Sequence, residues 1–142
     1  MVGLSAPFYL HVALWAAGLH GVWEYGQVIP FYRCWGRWTT WQRIWILPAA
    51  TLGDAVASIA FAAGTAALLG PSAVRPLSLP GASMLLGLGL GGGVLFETVA
   101  LNLDFWRYKE AMPTLRIAGH DLGLAPVLQM TVLPVLSIWI AG

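Results

Sequence analysis

Residues 80–104 read PGASMLLGLGLGGGVLFETVALNLD, and this stretch decides the fold. It holds one ionisable side chain, Glu97, before Asp104 closes it. At 1.5 Å per residue a helix of this length runs to roughly 37 Å, which exceeds the ~30 Å of hydrocarbon in a bilayer. Gly87/Gly91 and Gly89/Gly93 both have GxxxG spacing, with Gly92 between them. A phosphate loop needs a strand–turn–helix setting that this run does not offer. The glycines therefore read as a close-packing face for another helix, by preference one of the same chain and otherwise one of a second copy.

Three more apolar runs flank it, giving spans at about 7–30, 43–69, 80–104 and 121–140. Pro7 suits a helix start, Pro30 an end, and Gly70-Pro71 stops the second run. Pro48, Pro126 and Pro134 fall inside runs, where neighbouring helices can satisfy the freed carbonyls. Of the 142 residues, 58% are hydrophobic and 9% charged, and mean hydropathy is +0.75. Soluble domains carry nearer ~25% charged residues, so the bilayer is the expected solvent. A single cysteine, Cys34, excludes an intrachain disulfide and any CxxC metal motif. Net charge of +1 makes no case for nucleic acid. The first run is too long for a signal-peptide core, contains His20 and Glu24, and is expected to be a retained helix.

Orientation follows from the basic residues. The first loop carries Arg33, Arg37 and Arg43, the third carries Arg107, Lys109 and Arg116, and the second has Arg75 alone. The positive-inside rule then puts the first and third loops in the cytoplasm and both termini outside. Trp35, Trp38, Trp41 and Trp45, with Phe31 and Tyr32, have the spacing of a short interfacial helix along the cytoplasmic leaflet. Trp106 and Tyr108 fall at the same level. Either an aromatic belt or a mouth for a lipid-like ligand would use them. In the third loop, Met112-Pro113 suits a turn, and Asp121 suits a cap for the fourth helix. That loop reads as a headgroup anchor, or as a lid over the polar groups beneath it.

Those polar groups form a layer. Counted from the cytoplasmic helix ends at 1.5 Å per residue, Glu24 lies about 9 Å deep, His20 ~15 Å, Asp54 ~16 Å, and Glu97 and Gln129 ~12 Å. Facing lipid would cost a few kcal/mol for each acid, so they are expected to face one another. His20, Glu24 and Gln27 share one stripe, which puts His20 beside Glu24. Thr51, Asp54 and Ser58 on the second helix, and Glu97, Thr98 and Asn102 on the third, extend the set.

Three roles suit such a layer: interhelical hydrogen bonding, acid/base chemistry on an apolar substrate, or a ligand, pigment or proton path in a larger membrane assembly. A metal is less well served, because His20 is the only histidine at this depth. His11 lies ~13 Å away along the helix, and His120 falls in a loop. The sequence names no cofactor. A proton-coupled transporter would call for a dimer, since no internal repeat is evident.

The set Trp23-Glu24-x-x-Gln27, Gly53-Asp54, Glu97, Trp106-Arg107-Tyr108, Met112-Pro113 and Gly123-Leu124-x-Pro126-x-x-Gln129 resembles a group of small bacterial four-helix integral membrane proteins, over most of the chain. That resemblance brings no established activity. His20-x-x-x-Glu24, followed by Phe31 and Tyr32, is more narrowly similar to the EXPERA group, which includes sterol isomerases of the emopamil-binding type. The second resemblance implies a His/Glu pair, joined by an acid from the next helix (here Asp54), that shifts a double bond by protonation and deprotonation.

The expected protein is all-α: one domain over 1–142, a four-helix transmembrane bundle, N-out and C-out, multi-pass in a cell inner membrane. Its expected work is acid/base chemistry of the isomerase, hydratase or cyclase type on an isoprenoid- or lipid-like molecule. Glu24 or Asp54 would donate the proton, His20 would tune it, and Glu97 would steady the developing cation. Gln27, Asn102 and Gln129 would orient the ligand, with Trp23, Tyr25, Phe96, Trp106 and Tyr108 as aromatic contacts. Membrane lipids and a small apolar ligand are the expected partners. The alternative is a non-enzymatic accessory or ligand-binding subunit of a membrane complex, or a homo-oligomer.

Overall fold

The structure is a computed structural model that describes residues 4–117 and 119–142. Four helices account for most of it: α1 over Ala6–Phe31, α2 over Thr40–Leu69, α3 over Leu79–Asn102 and α4 over Leu124–Ala141. Local chemistry sets their ends. Ser5 Oγ accepts from the Phe8 amide, with Pro7 in the first turn of α1. Thr39 and Gln42 make a reciprocal capping box at α2, and Ser78 caps α3 ahead of Pro80. Gly70, at φ 90°, ends α2 in a conformation that costs other residues.

Three of the helices, α2, α3 and α4, are long and apolar enough to cross a membrane. The chain is a membrane protein on that account. At 26 residues α1 is also long enough, but His11, His20, Glu24 and Gln27 dilute it. α1 lies against α2 and α4, and α3 lies mainly against α4.

Glycine makes the α3–α4 seam. Pro134 has no amide hydrogen, so the carbonyl of Met130, one turn earlier, loses its helical donor. Gly89 closes on that carbonyl: a Cβ there would sit 2.2 Å from the Met130 oxygen. A Cβ on Gly93 would meet Val127 and Met130 at 3.2 Å, whereas Gly87 and Gly91 meet nothing within 4 Å. The Gly89/Gly93 pair thus packs within the chain.

Each end of the molecule has its own apolar cluster. Phe8, Val12, Ala62, Val74, Leu85 and Ile138 fill one, near Arg75. Val28, Tyr32, Leu47, Met112 and Ala125 fill the other, under Trp35, Trp38, Trp106 and Tyr108. Both strongly basic loops gather at this second end. The Arg33 amide donates to the Arg107 carbonyl (2.9 Å) and the Lys109 amide to the Phe31 carbonyl (2.8 Å).

Here the structure corrects the reading of the sequence in three places. The chain is not purely helical: Thr114–Ile117 (β1) and His120–Gly123 (β2) pair as an antiparallel hairpin, with Gly119 at φ 86° in its turn. Asp121 is consequently a strand residue opposite Arg116, and α4 starts at Leu124 behind Gly123. Pro126 then falls in the first turn of α4, where its missing N–H costs nothing. Finally, the tryptophans form no separate interfacial helix. Trp35 lies in the 3-10 turn Cys34–Gly36, and the cap at Thr39 draws Trp41 and Trp45 into the exposed first turns of α2.

Candidate functional site

The polar layer converges on Gln129, which is 1% exposed on α4. Its Nε2 donates to Asp54 Oδ2 at 2.8 Å and to Glu24 Oε1 at 3.0 Å, so one side-chain amide ties α1 and α2 to α4. Its Oε1 accepts from Gln27 Nε2 at 2.8 Å, and Gln27 Oε1 accepts from Trp23 Nε1 at 3.1 Å. Gln129 Nε2 has two hydrogens and three neighbours, because His20 Nδ1 also lies 3.1 Å from it. The same His20 Nδ1 lies 3.1 Å from Asp54 Oδ2.

His20 therefore pairs with Asp54 across the helix interface, and Glu24 is held by Gln129 instead of by His20, contrary to the expectation from their spacing. The i, i+4 spacing permits a contact, but α2 and α4 present better-placed partners. His20 is fully buried and lies behind the two carboxylates.

On the other side of the carboxylates is a cavity of about 350 Å³. Glu24, Asp54, Glu97 and Gln129 reach its wall, together with apolar groups such as Val28, Leu47, Phe96 and Met130. Cys34, Trp38, Phe105 and Trp106 line it from the loops at the basic end. Its acids come from three helices, and no lysine, arginine or histidine is among its wall residues. α2 and α3 meet at Phe61 and Gly92, where the ring lies 3.0 Å from the position of a glycine Cβ. Towards the basic end they bound the cavity, and its wall residues Gly53, Phe96, Val99 and Phe105 are exposed. The cavity is thus open to the exterior and not sealed within the bundle.

Two polar atoms on this wall stand apart from the network. Glu97 is 3% exposed, and its Oε2 has no hydrogen-bond partner. The indole Nε1 of Trp106 is buried beside this carboxyl and faces it. Burial also raises the Cys34 thiol and Tyr32 phenol above their ordinary ranges, because the charged form of each loses water.

Several expected ligand contacts fall elsewhere. Asn102 is exposed at the end of α3, one and a half turns beyond Glu97, and so points away from the cavity. Tyr25 is exposed on the outer face of α1. Trp23 positions Gln27 and is not a wall residue. Tyr108 packs edge-on against Tyr32 at 5.5 Å, and its hydroxyl accepts from the Gly123 amide. Ser58 and Thr98 turn their hydroxyls back to carbonyls of their own helices, at Asp54 and Val94. Cys34 and Gly53 were not foreseen as wall residues, and Trp38 was read only as part of an aromatic belt or ligand mouth. Gly53 beside Asp54 was the one local hint, since a missing side chain next to a buried acid leaves room for something else. Among the described residues no group of three His, Cys, Asp or Glu side chains is placed to hold a metal ion.

No family model, curated protein or solved structure matches this chain, so its function has to be argued from the site itself.

Proposed function

We propose that this chain is a four-span protein of a bacterial-type inner membrane that performs acid/base chemistry on an isoprenoid- or lipid-like molecule held in the cavity. In this reading α1 crosses the bilayer with α2, α3 and α4 as a bundle. Its polar side chains are tolerated because Gln27 and His20 are turned inward. The end bearing Arg33, Arg37, Arg43, Arg107, Lys109 and Arg116 faces the cytoplasm, and residues 4 and 142 face the other side.

The observation that carries the proposal is the pair Glu24 and Asp54, both on the wall of a mainly apolar cavity and both bonded to one Gln129 nitrogen. Two hydrogen bonds laid end to end keep the bonded oxygens within roughly 6 Å of each other. That separation suits moving a proton onto one carbon of an alkene and removing another from a neighbouring allylic carbon. One carboxyl donates and the other accepts, so a double bond shifts with no net gain or loss of atoms. His20 and Gln129 hold the pair in place from behind. Phe96 and Trp106 supply aromatic faces for positive charge developing on carbon.

Isotope exchange tests this. The protein in lipid nanodiscs, incubated in D2O with farnesol as the olefin, is expected to place deuterium at allylic carbons, as read by mass spectrometry. Glu24→Gln keeps the hydrogen-bond geometry but removes the acid, and is expected to abolish the exchange without lowering the unfolding temperature. Full exchange in that variant would end the proposal.

A further inference from the structure

Outside the cavity, the two basic loops are stitched to each other. Tyr32 and Tyr108 form an isolated antiparallel bridge, flanked by the backbone hydrogen bonds from Arg33 to Arg107 and from Lys109 to Phe31. The two tyrosine rings share the inner face, 5.5 Å apart in the apolar cluster beneath the loops. Side chains alternate along an extended pair, so Arg33 and Arg107 fall directly opposite each other on the outer face, with Lys109 beside them. All three are exposed.

Like charges set opposite each other across strands destabilise the pairing. The protein relieves this in part. Asp104, held at φ 56°, pairs with Arg107, while Lys109 Nζ reaches a neutral partner, the Ile29 carbonyl, at 2.6 Å. Arg33 makes no ion pair among the described residues, and neither does the neighbouring Glu110. Three cations thus share one carboxylate, at a place that backbone hydrogen bonds hold fixed. Arg107 and Lys109 lie five and seven residues beyond α3, a helix long and apolar enough to cross a membrane. Exposed Ile29, Leu103 and Phe105 lead up to them. Cations just past an exposed apolar belt sit at the level of the lipid phosphates. We infer that Arg33, Arg107 and Lys109 form a binding site for the phosphodiester of an anionic phospholipid.

An arginine fork meets phosphate oxygens through two N–H groups at once. A zwitterionic lipid brings a cation of its own, which the cluster repels, and a soluble polyanion has no use for the apolar flank. The sequence grouped Arg107 and Lys109 with Arg116. The fold sets Arg116 opposite Asp121 in the hairpin and brings Arg33 from the other loop in its place. A head group here bridges the two loops, and so steadies the cavity wall to which Cys34 and Trp106 belong.

This site is independent of any chemistry in the cavity and is tested without it. The full chain is placed in nanodiscs of equal parts phosphatidylglycerol and phosphatidylcholine, and the lipids that stay bound on release are counted by native mass spectrometry. Phosphatidylglycerol is expected to be retained in preference. Arg33→Gln is expected to cut that preference about fivefold, the worth of one cation at a membrane surface. Arg107→Gln is expected to cut it further, because it also strips Asp104 of its partner. Arg116→Gln is expected to leave it unchanged. In nanodiscs of phosphatidylcholine alone, Arg33→Gln is expected to melt at the parent's temperature or slightly above, since the bridge is made by backbone atoms and an opposed charge is gone.

Equal retention of the two lipids by the parent would overturn the site. An equal loss of preference in Arg33→Gln and Arg116→Gln would overturn it too, by showing that total charge and not this cluster selects the lipid. A clear fall in the melting temperature of Arg33→Gln in phosphatidylcholine would do the same, by making Arg33 a structural residue.

Discussion

Replacing Gln129 with leucine is the sharpest perturbation the structure offers. The substitution preserves bulk and removes the one side chain that touches Glu24, Asp54 and Gln27 together, through contacts of 3.0, 2.8 and 2.8 Å. Interhelical polar contacts in a membrane protein average ~0.6 kcal/mol, so three of them set a floor near 2 kcal/mol. The Gln27 amide is then left buried without an acceptor, which adds roughly 1–3 kcal/mol. The expected total is about 3–5 kcal/mol. For a chain of this size each kcal/mol moves the midpoint by ~2–4 °C, giving a fall of roughly 6–20 °C in a thermal melt followed by tryptophan fluorescence. A double-mutant cycle with Glu24→Met, which removes the acceptor, isolates the link between the helices: Gln129→Leu is expected to cost less once Glu24 is already altered. Buried polar groups can sometimes be exchanged for apolar ones at no loss. An unchanged midpoint for Gln129→Leu, with no coupling to Glu24→Met, would therefore refute the view that this amide organises the site.

Two further outcomes follow from packing and burial. Gly89→Ala places a methyl against the Met130 carbonyl and is expected to cost about 1–3 kcal/mol, whereas Gly87→Ala, with open space around it, is expected to be neutral or slightly stabilising; equal melts for the two would contradict the α3–α4 contact. Because burial holds the Cys34 thiol above the usual ~8.5, maleimide labelling of the folded protein should lag that of the SDS-unfolded chain at pH 8 and keep rising at higher pH. Identical pH profiles before and after unfolding would show that Cys34 faces open water.

Hydropathy made much of the architecture legible. The apolar runs around residues 54, 92 and 132 became α2, α3 and α4, and the loop charges of opposite weight became the two chemically distinct ends. Capping chemistry was legible only through a proline: Pro7 marked the start of α1, while the caps Ser5 and Ser78 emerged with the structure. It was misread at Asp121. Thr114-Leu115-Arg116-Ile117 alternates polar and apolar, but over too short a run to stand out, and the strand pairing is fixed by contact around Gly119 and by Leu122 burying against the helices. Depth counting also placed Glu24, Asp54, Glu97 and Gln129 on one wall, because rise per residue is constant and the helix ends are marked in the sequence.

Rotation about each helix axis was not legible, and it decided the rest. A depth along the axis does not say which way a side chain points. Asn102 and Tyr25 proved to face outward, and His20 found Asp54 in place of Glu24. The sequence by itself determined that these helices belong in a membrane and that their few acids sit at one level, because transfer of charge into hydrocarbon is so costly that it leaves a mark in composition. Only the tertiary structure decided which of those acids Gln129 satisfies and which, Glu97, it leaves open to the cavity, because that depends on how four cylinders turn against one another when glycine, proline and bulky side chains settle their packing.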